Sequence, residues 1–426
     1  MVNQIAADET RLRSPVIQRE QKAYLRGLAK RVAEIAADPA QEFRRRVWYA
    51  QNSLHPIKPP VFCFPWMCWS ELSATGSQLA HPLLQAWERD LLTRIYAWEH
   101  FQDDQVTDDV IYVKHVFVDT GWGLSAARTQ VASEGSYIWD PPLKDPADLD
   151  KLHFPEVVVD WETTQAHLDL AKEVFGDLLR VELRTEFWWT LGIMYEWAQL
   201  RGLVQLMMDM VDRPAWMHEA SQFMAAGRLH FLDNLEAQGL LSLNNGCHQL
   251  GCRSFGFTDE LPSTDYTEGR TMTRDMWGFT ESQETTGIGP GMLWDFVLQY
   301  EAPIHERFGL TCYGCCEPLD RKFDVVKRLP NLRRVAVSPW CDRAVAAEAL
   351  TDEYCYAWRP NPAYLAGPTF DPEFIRADIR RTFELARGSH IEIELKDCQT
   401  CSGEPWRFDE WARIAQEESL RVAEQL

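Results

Sequence analysis

The chain has 426 residues, 46% of them hydrophobic, and a formal net charge of −21 at pH 7. This length and apolar content, with a mean hydropathy of −0.33, exclude an intrinsically disordered chain and allow one large α/β barrel with additions or two to three ordinary domains. The acidic balance excludes non-specific binding to nucleic acid or to an anionic membrane surface, since both need a basic face.

The first residues show no basic stretch followed by an apolar run, so no signal peptide is expected. No apolar segment approaches the ~18 residues that suggest a membrane span. With 11 cysteines and no secretion signal, the expected location is a reducing cytoplasm. Clustered thiols there serve as metal ligands or catalytic groups more often than as disulfides.

Between residues 14 and 50, Leu25, Leu28, Val32, Ile35 and Ala36 recur at three- and four-residue spacing, which predicts an amphipathic helix. A second helix is predicted through Phe43, Val47 and Trp48. The proline-rich stretch 56–60 closes this N-terminal helical extension, residues 1–60, and the apolar run 61–64 opens the main unit, residues 61–426. Helix is predicted over 81–101, strand over 110–118, loop with a small hairpin over 119–150, helix over 163–175 and strand over 180–188. A helical tract from 194 to 235 follows, with Pro214 marking a helix start.

Beyond that point strand-like runs at 240–243, 276–281, 309–313, 333–338, 353–357 and 391–396 alternate with helical patterns at 291–307, 320–328, 342–350 and 373–387. A long, polar, glycine-dotted insertion occupies 244–273. Strand–helix–strand alternation implies a parallel sheet. Eight or nine strands, and no Gly-x-Gly-x-x-Gly after an early one, favour a closed (β/α)8 TIM-type barrel over an open doubly wound sheet.

In such a barrel the chemistry lies where strands end and βα loops begin. Those ends supply Asn244 and Asn245, then Glu281, Ser282, Gln283 and Glu284, then Cys315, Cys316 and Glu317. Ser338, Trp340 and Asp342 follow, and finally Lys396, Asp397, Cys398 and Cys401. Thiolates from two strand ends with a carboxylate would hold a catalytic zinc with one open position. The pairs Cys312/Cys315 and Cys398/Cys401 also read as a four-thiolate structural site, and unliganded core thiols are the third reading. Cys247, His248 and Cys252 read as loop packing, and Cys63, Cys68, Cys341 and Cys355 as core. His230 reads as a satisfied or exposed helix residue, and Phe187-Trp188-Trp189 as core or as one wall of a cavity.

The run Trp277-Gly278-Phe279-Thr280-Glu281-Ser282-Gln283, with Gly289-Pro290-Gly291-Met292, Phe296-Val297-Leu298-Gln299-Tyr300 and Pro303, resembles the strand, turn and helix of the uroporphyrinogen decarboxylase superfamily. Tyr313-Gly314-Cys315-Cys316-Glu317 sits where that superfamily's corrinoid-linked methyltransferases carry a His-x-Cys zinc motif, and Cys401 where they carry their last cysteine ligand. The similarity spans roughly residues 180–415. It departs from the decarboxylases at Phe64-Pro65-Trp66-Met67-Cys68-Trp69, which lacks their substrate-binding arginines, so porphyrinogen decarboxylation is not expected. It departs from the methyltransferases at Tyr313, which stands in place of the histidine and leaves Cys316 or Glu317 as the third ligand.

The resemblance implies a cytoplasmic, zinc-dependent methyltransferase acting on a small methylated substrate, such as a methyl ether undergoing demethylation, or on a thiol. A corrinoid held by a partner protein would carry the methyl group. Cys315, Cys316, Glu317 and Cys401 are the expected metal ligands. Glu281 would orient substrate or protonate a leaving oxygen with help from Gln283, and Asn244, Trp340 and Lys396 would bind substrate. The rival readings are a metal-free lyase or decarboxylase on a carboxylated or tetrapyrrole-like substrate, and a non-enzymatic module that binds corrinoid or metal.

Overall fold

The structure is a computed structural model that describes residues 15–73, 76–130, 137–251 and 254–424. Eight of its strands pair in parallel: β1 (Val61–Cys63), β2 (Val110–Val113), β3 (Arg180–Leu183), β4 (Trp277–Thr280), β5 (Leu310–Tyr313), β6 (Leu332–Val337), β7 (Cys355–Trp358) and β8 (His390–Leu395). Six of them form one sheet in the order β1–β8–β7–β6–β5–β4, and β2 pairs with β3 on its own. Two small antiparallel pairs, Val116–Asp119 with Val157–Asp160 and Ala127–Gln130 with Tyr137–Asp140, lie outside this set. The architecture is mixed α/β with a parallel central sheet of six strands, where a closed eight-stranded ladder was expected. No helix among the described residues is long and apolar enough to cross a membrane.

The central strands were legible because parallel strands covered on both sides read as unbroken apolar runs, and β4, β5 and β7 are buried along their whole length. Four expectations need correction. The run 240–243 is not a strand. Beside it the Asn244 side chain takes a strand's place, donating to the Trp277 carbonyl at 2.9 Å and accepting from the Trp277 amide at 2.8 Å. The run 110–118 is two strands interrupted at Lys114 and His115, and 180–188 stops as a strand at Leu183. The tract 194–235 is three helices, Met194–Arg201, Leu203–Asp212 and Pro214–Ala237, the first break falling at Gly202 with φ +88°.

The amphipathic helix Arg19–Ala36 buries Leu25, Ala29 and Val32 against Leu84, Trp87 and Leu91 of helix Pro82–Tyr96 and against Leu170 and Val174 of helix Trp161–Phe175. That cluster also covers Ile111 and Val113 of β2, so the first helix seals the separate β2–β3 pair. Residues 1–14 of the expected extension lie outside the described residues.

The insertion 244–273 is anchored deep in the molecule. Ser254 is fully buried, and its hydroxyl lies within hydrogen-bond reach of both Glu392 and Glu394 on β8. Asn52 donates to the carbonyls of Phe255 and Phe257 at 2.9 and 2.7 Å, and the Phe255 ring packs on Trp48 and Phe62 with centroids 5.5 Å away in both cases. Gly256 makes this close passage possible, since a Cβ there would lie 1.9 Å from the Asn244 carbonyl oxygen. Gly256→Ala is therefore expected to displace the anchor and to cost at least about 1–3 kcal/mol, as overpacking does. A urea midpoint equal to wild type would show that the backbone yields without loss.

Candidate active site

Glycine at 314 shapes the thiol-bearing corner. Its φ of +93° lies in the left-handed region that other residues avoid, and its amide still donates to the Thr280 carbonyl at 3.0 Å. The chain turns there at the end of β5 and presents Cys315 and Cys316 side by side, their sulfurs 3.6 Å apart. Glu317 locks the corner: Oε1 accepts from the Ser282 amide at 3.2 Å and Oε2 from the Cys315 amide at 2.8 Å. One carboxylate thus ties the end of β4 to the end of β5. From the end of β7, Arg359 donates to the Cys315 carbonyl at 2.6 Å.

Lys396 reaches the same corner from β8. It continues the face of Glu392 and Glu394, since every second residue of a strand points the same way. Its Nζ lies 3.3 Å from the Cys315 sulfur, 3.9 Å from that of Cys316 and 2.9 Å from Asp397 Oδ2, with a side chain only 8% exposed. These neighbours separate the two thiols. The hydrogen bond from Cys315 pulls Cys316 down to about 7 against its burial, with help from the cations Lys396 and Arg359. The same hydrogen bond, with burial, pushes Cys315 well above the ordinary thiol range. As pH rises through about 7 the pair gives up its first proton from Cys316, while Cys315 keeps its own, so Cys316 bears the thiolate character.

Across from the thiols stands a set of carboxyls. Glu281 is fully buried; its Oε2 accepts from the Gln283 amide at 3.1 Å, and its Oε1 has no hydrogen-bond partner. Burial, then the neighbouring Glu284 and Glu317, raise it well above the carboxyl range, so it keeps its proton. Burial raises Glu284 to about 7, and the Gln283 side chain hydrogen-bonds to it. Behind them Glu301 accepts from the Ile193 amide at 3.0 Å and is raised by burial to about 8.

A carboxyl whose pKa is higher in the folded state than in the unfolded chain favours folding while it is protonated. The Glu301 contribution is therefore complete below the ordinary value of 4.5 and is lost as pH rises through about 8. Glu301→Gln, which cannot ionise, is expected to remove this loss. Urea midpoints between about pH 5 and about pH 9 should fall less in the variant than in wild type, and parallel curves would count against the assignment.

Cys401 has other partners. Its sulfur and its amide both donate to Glu71 Oε2, at 3.1 and 3.0 Å, and the Gly403 amide does so at 2.8 Å. Burial alone would raise Glu71, but hydrogen bonds from Thr400, Gly403 and Cys401 hold it down to about 2. Cys68 is in contact with Cys401, and Cys398 interacts with Cys63, Cys68 and Cys401. The structure thus forms two thiol groups, Cys315 with Cys316, and Cys63, Cys68, Cys398 and Cys401. Among the described residues no set of three or more His, Cys, Asp or Glu side chains is placed to hold a metal ion.

Of the other expected site residues, Lys396 is at the thiols, Trp340 is 66% exposed beyond β6, and Asn244 holds the start of β4. Arg359 and Glu71 were missed. Arg359 is legible in hindsight as the cation directly after a fully buried strand, whereas nothing in the stretch 69–72 marks Glu71.

No family model matches the chain, and no curated protein matches it either. Among solved structures, a methyltransferase from Methanosarcina mazei superposes with a TM-score of 0.49 at 10% sequence identity, covering 88% of this chain and 98% of that one. A likeness this distant carries no weight for the site.

Proposed function

We propose that the protein is a cytoplasmic methyltransferase of the uroporphyrinogen decarboxylase-like type, an opened form of the (β/α)8 barrel. It would move a methyl group between a small methylated substrate and a corrinoid held by a partner protein. One observation carries the reading: a sulfur with thiolate character, Cys316, and a protonated buried carboxyl, Glu281, stand at the ends of the neighbouring parallel strands β5 and β4. Removing a methyl group from an ether needs a nucleophile on carbon and a proton for the departing oxygen. Cys316 would form the S–CH3 bond as the O–CH3 bond breaks, and Glu281 would give its proton to the oxygen. The hydrogen bond from Cys315, helped by Lys396, favours the ionised sulfur, while Glu317 and Arg359 hold the adjoining Cys315 backbone in place.

The expected zinc does not fit the residues as arranged. Both Glu317 oxygens are taken by backbone amides, Cys401 is held by Glu71, and the Lys396 ammonium lies against the two thiols where a cation would bind. The reading therefore uses no metal at the thiols, with Lys396 supplying the positive charge. A corrinoid, when its carrier protein docks, supplies the cobalt centre that takes or gives the methyl group. Met67, 52% exposed in the short helix Trp66–Cys68 after β1, and Trp340, 66% exposed in the loop after β6, offer it apolar contacts.

The test supplies methylcob(III)alamin bearing a deuterated methyl group to the purified protein. Protein-dependent loss of the methyl–cobalt absorbance, with the label on Cys316 in peptide mass spectra, is expected. Failure to move the methyl group in either direction, from methylcobalamin or from a methyl ether to cob(I)alamin, would sink the proposal and leave a metal-free lyase as the better reading.

A further inference from the structure

A second feature, beside β4, has no part in the thiol chemistry. Where β3 ends and the insertion begins, a recess is lined by Arg184, Trp188, Trp189, His248, Trp277 and Phe279, among others, and by one acidic residue, the exposed Glu186. Its cavity volume is about 40 Å³, room for roughly three water molecules. Arg184 is fixed in place by its amide, which donates to the Val113 carbonyl at 2.8 Å, and its guanidinium lies 5.0 Å from the centroid of the Tyr112 ring. Among the described residues no carboxylate forms an ion pair with it, and its Nη2 is buried without a hydrogen bond. A buried guanidinium nitrogen with no acceptor is costly, and native structures rarely leave one so.

We propose that this recess seats the carboxylate end of a small, flat carboxylic acid, with Arg184 as its counter-ion. The shape of the group follows from the donor and the space. Guanidinium presents a planar fork that matches a planar carboxylate, and the narrow recess suits a CO2 group better than a tetrahedral phosphate. The nature of the rest follows from the walls. Trp189 and Phe279 meet edge-on with centroids 6.3 Å apart, a surface for a ring or a short planar chain. His248 brings no competing charge, since burial, reinforced by Arg184, holds it well below the ordinary imidazole range and keeps it neutral.

The register of β4 aims the ligand. Thr280 hydrogen-bonds His305 of helix Gln299–Arg307 at 2.8 Å, so it faces the helices. Trp277 and Phe279 alternate to the other side, and Glu281 follows on that side two residues beyond Phe279. At about 3.3 Å per residue, the acid lies some 6–7 Å further along. A carboxylate anchored at Arg184 therefore leaves the far end of its ring directed toward Glu281. As the seat of the reacting substrate, the recess rests on the methyl-transfer reading; as a carboxylate site, it does not.

Calorimetric titration of the full chain with benzoate and with benzamide separates the two statements. Wild type is expected to bind benzoate at least tenfold more tightly. Arg184→Met, which keeps the apolar stem, is expected to lose that preference while binding benzamide as before. Equal affinities for the two ligands in wild type, or a preference that survives in Arg184→Met, would overturn the proposal. Should that variant fail to fold, the wild-type comparison decides alone, supported by Trp189→Leu, which keeps Arg184 and should weaken both ligands to the same degree. Glu281→Gln should keep the benzoate preference. Benzoate binding in a protein that transfers no methyl group would count against the methyl-transfer reading and in favour of the recess.

Discussion

Cys316→Ser is expected to lower methyl transfer by at least about 10³-fold, because a hydroxyl stays protonated where the thiol of an activated cysteine ionises. Cys315→Ala should lose less, and for a different reason. Its effect runs through Cys316, which would keep its sulfur but lose the hydrogen bond that does most to pull it down to about 7. Lys396→Met should act in the same direction by removing the cation 3.9 Å from the Cys316 sulfur. Alkylation separates these roles without any turnover. In wild type the rate of iodoacetamide labelling at Cys316 should rise through a midpoint near pH 7, where the thiolate forms. In Cys315→Ala and Lys396→Met the midpoint should move up, toward the ordinary thiol value. Because lost activity would then track lost thiolate, loss of activity in either of these two variants with an unmoved midpoint would show that Cys316 is not the reacting sulfur. Cys401→Ser serves as the control. Held by Glu71 in the other thiol group, it should leave the Cys316 midpoint unchanged, whereas a shared metal site would couple the two.

The central strands could be read from the chain within a residue or two. In β5 and β7 the apolar run and the burial coincide, and a parallel strand covered on both faces has little polar alternation to confuse the reading; β8, which alternates isoleucine with buried glutamate, is the exception. The failures have local causes. At 240–243 the apolar run is real, but the neighbouring strand's hydrogen bonds go to the Asn244 side chain, and composition does not reveal which partner a backbone will find. At 110–118 the β-branched run continues past Lys114 and His115, where the pairing changes from β3 to Val157–Asp160. The thiols teach a related lesson. Position at a strand end placed Cys315, Cys316 and Lys396 together correctly, because neighbouring parallel strands bring their ends to one place. It did not reveal that Cys401, only five residues beyond Lys396, folds back on a glutamate near β1. Which thiols meet depends on loop paths, and those are fixed by hydrogen bonds to groups such as Glu71 that bear no motif.

The largest stability effect is expected beneath the site, at Arg334. Its guanidinium grips Glu392 with two bonds, Nε to Oε1 at 2.7 Å and Nη2 to Oε2 at 3.1 Å, and both side chains are 0% exposed. Nη2 also donates to Asn52 Oδ1, Nη1 reaches the Cys312 sulfur at 3.8 Å, and the Trp277 ring lies under the guanidinium with its centroid 5.3 Å away. Glu394 stands two residues along the same strand face, with Arg359 at 3.6 Å and Ser254 bridging the two glutamates. Arg334→Met removes the cation and leaves Glu392 buried beside a second acid, so a loss of about 3–5 kcal/mol is expected, the range for breaking one side of a buried pair. The pair itself need not be worth that much, since desolvation offsets most of the attraction between buried charges. Arg334→Met combined with Glu392→Leu should therefore recover most of the loss, and the double variant should lie closer to wild type than Arg334→Met does. Urea midpoints of the two single variants and the double variant close the cycle. If the double variant loses the sum of the two single losses, the charges are not coupled. The network would then act through Asn52 and Ser254, which pin the insertion, and the glutamate column rising along β8 to Lys396 would not depend on Arg334 for its charge balance.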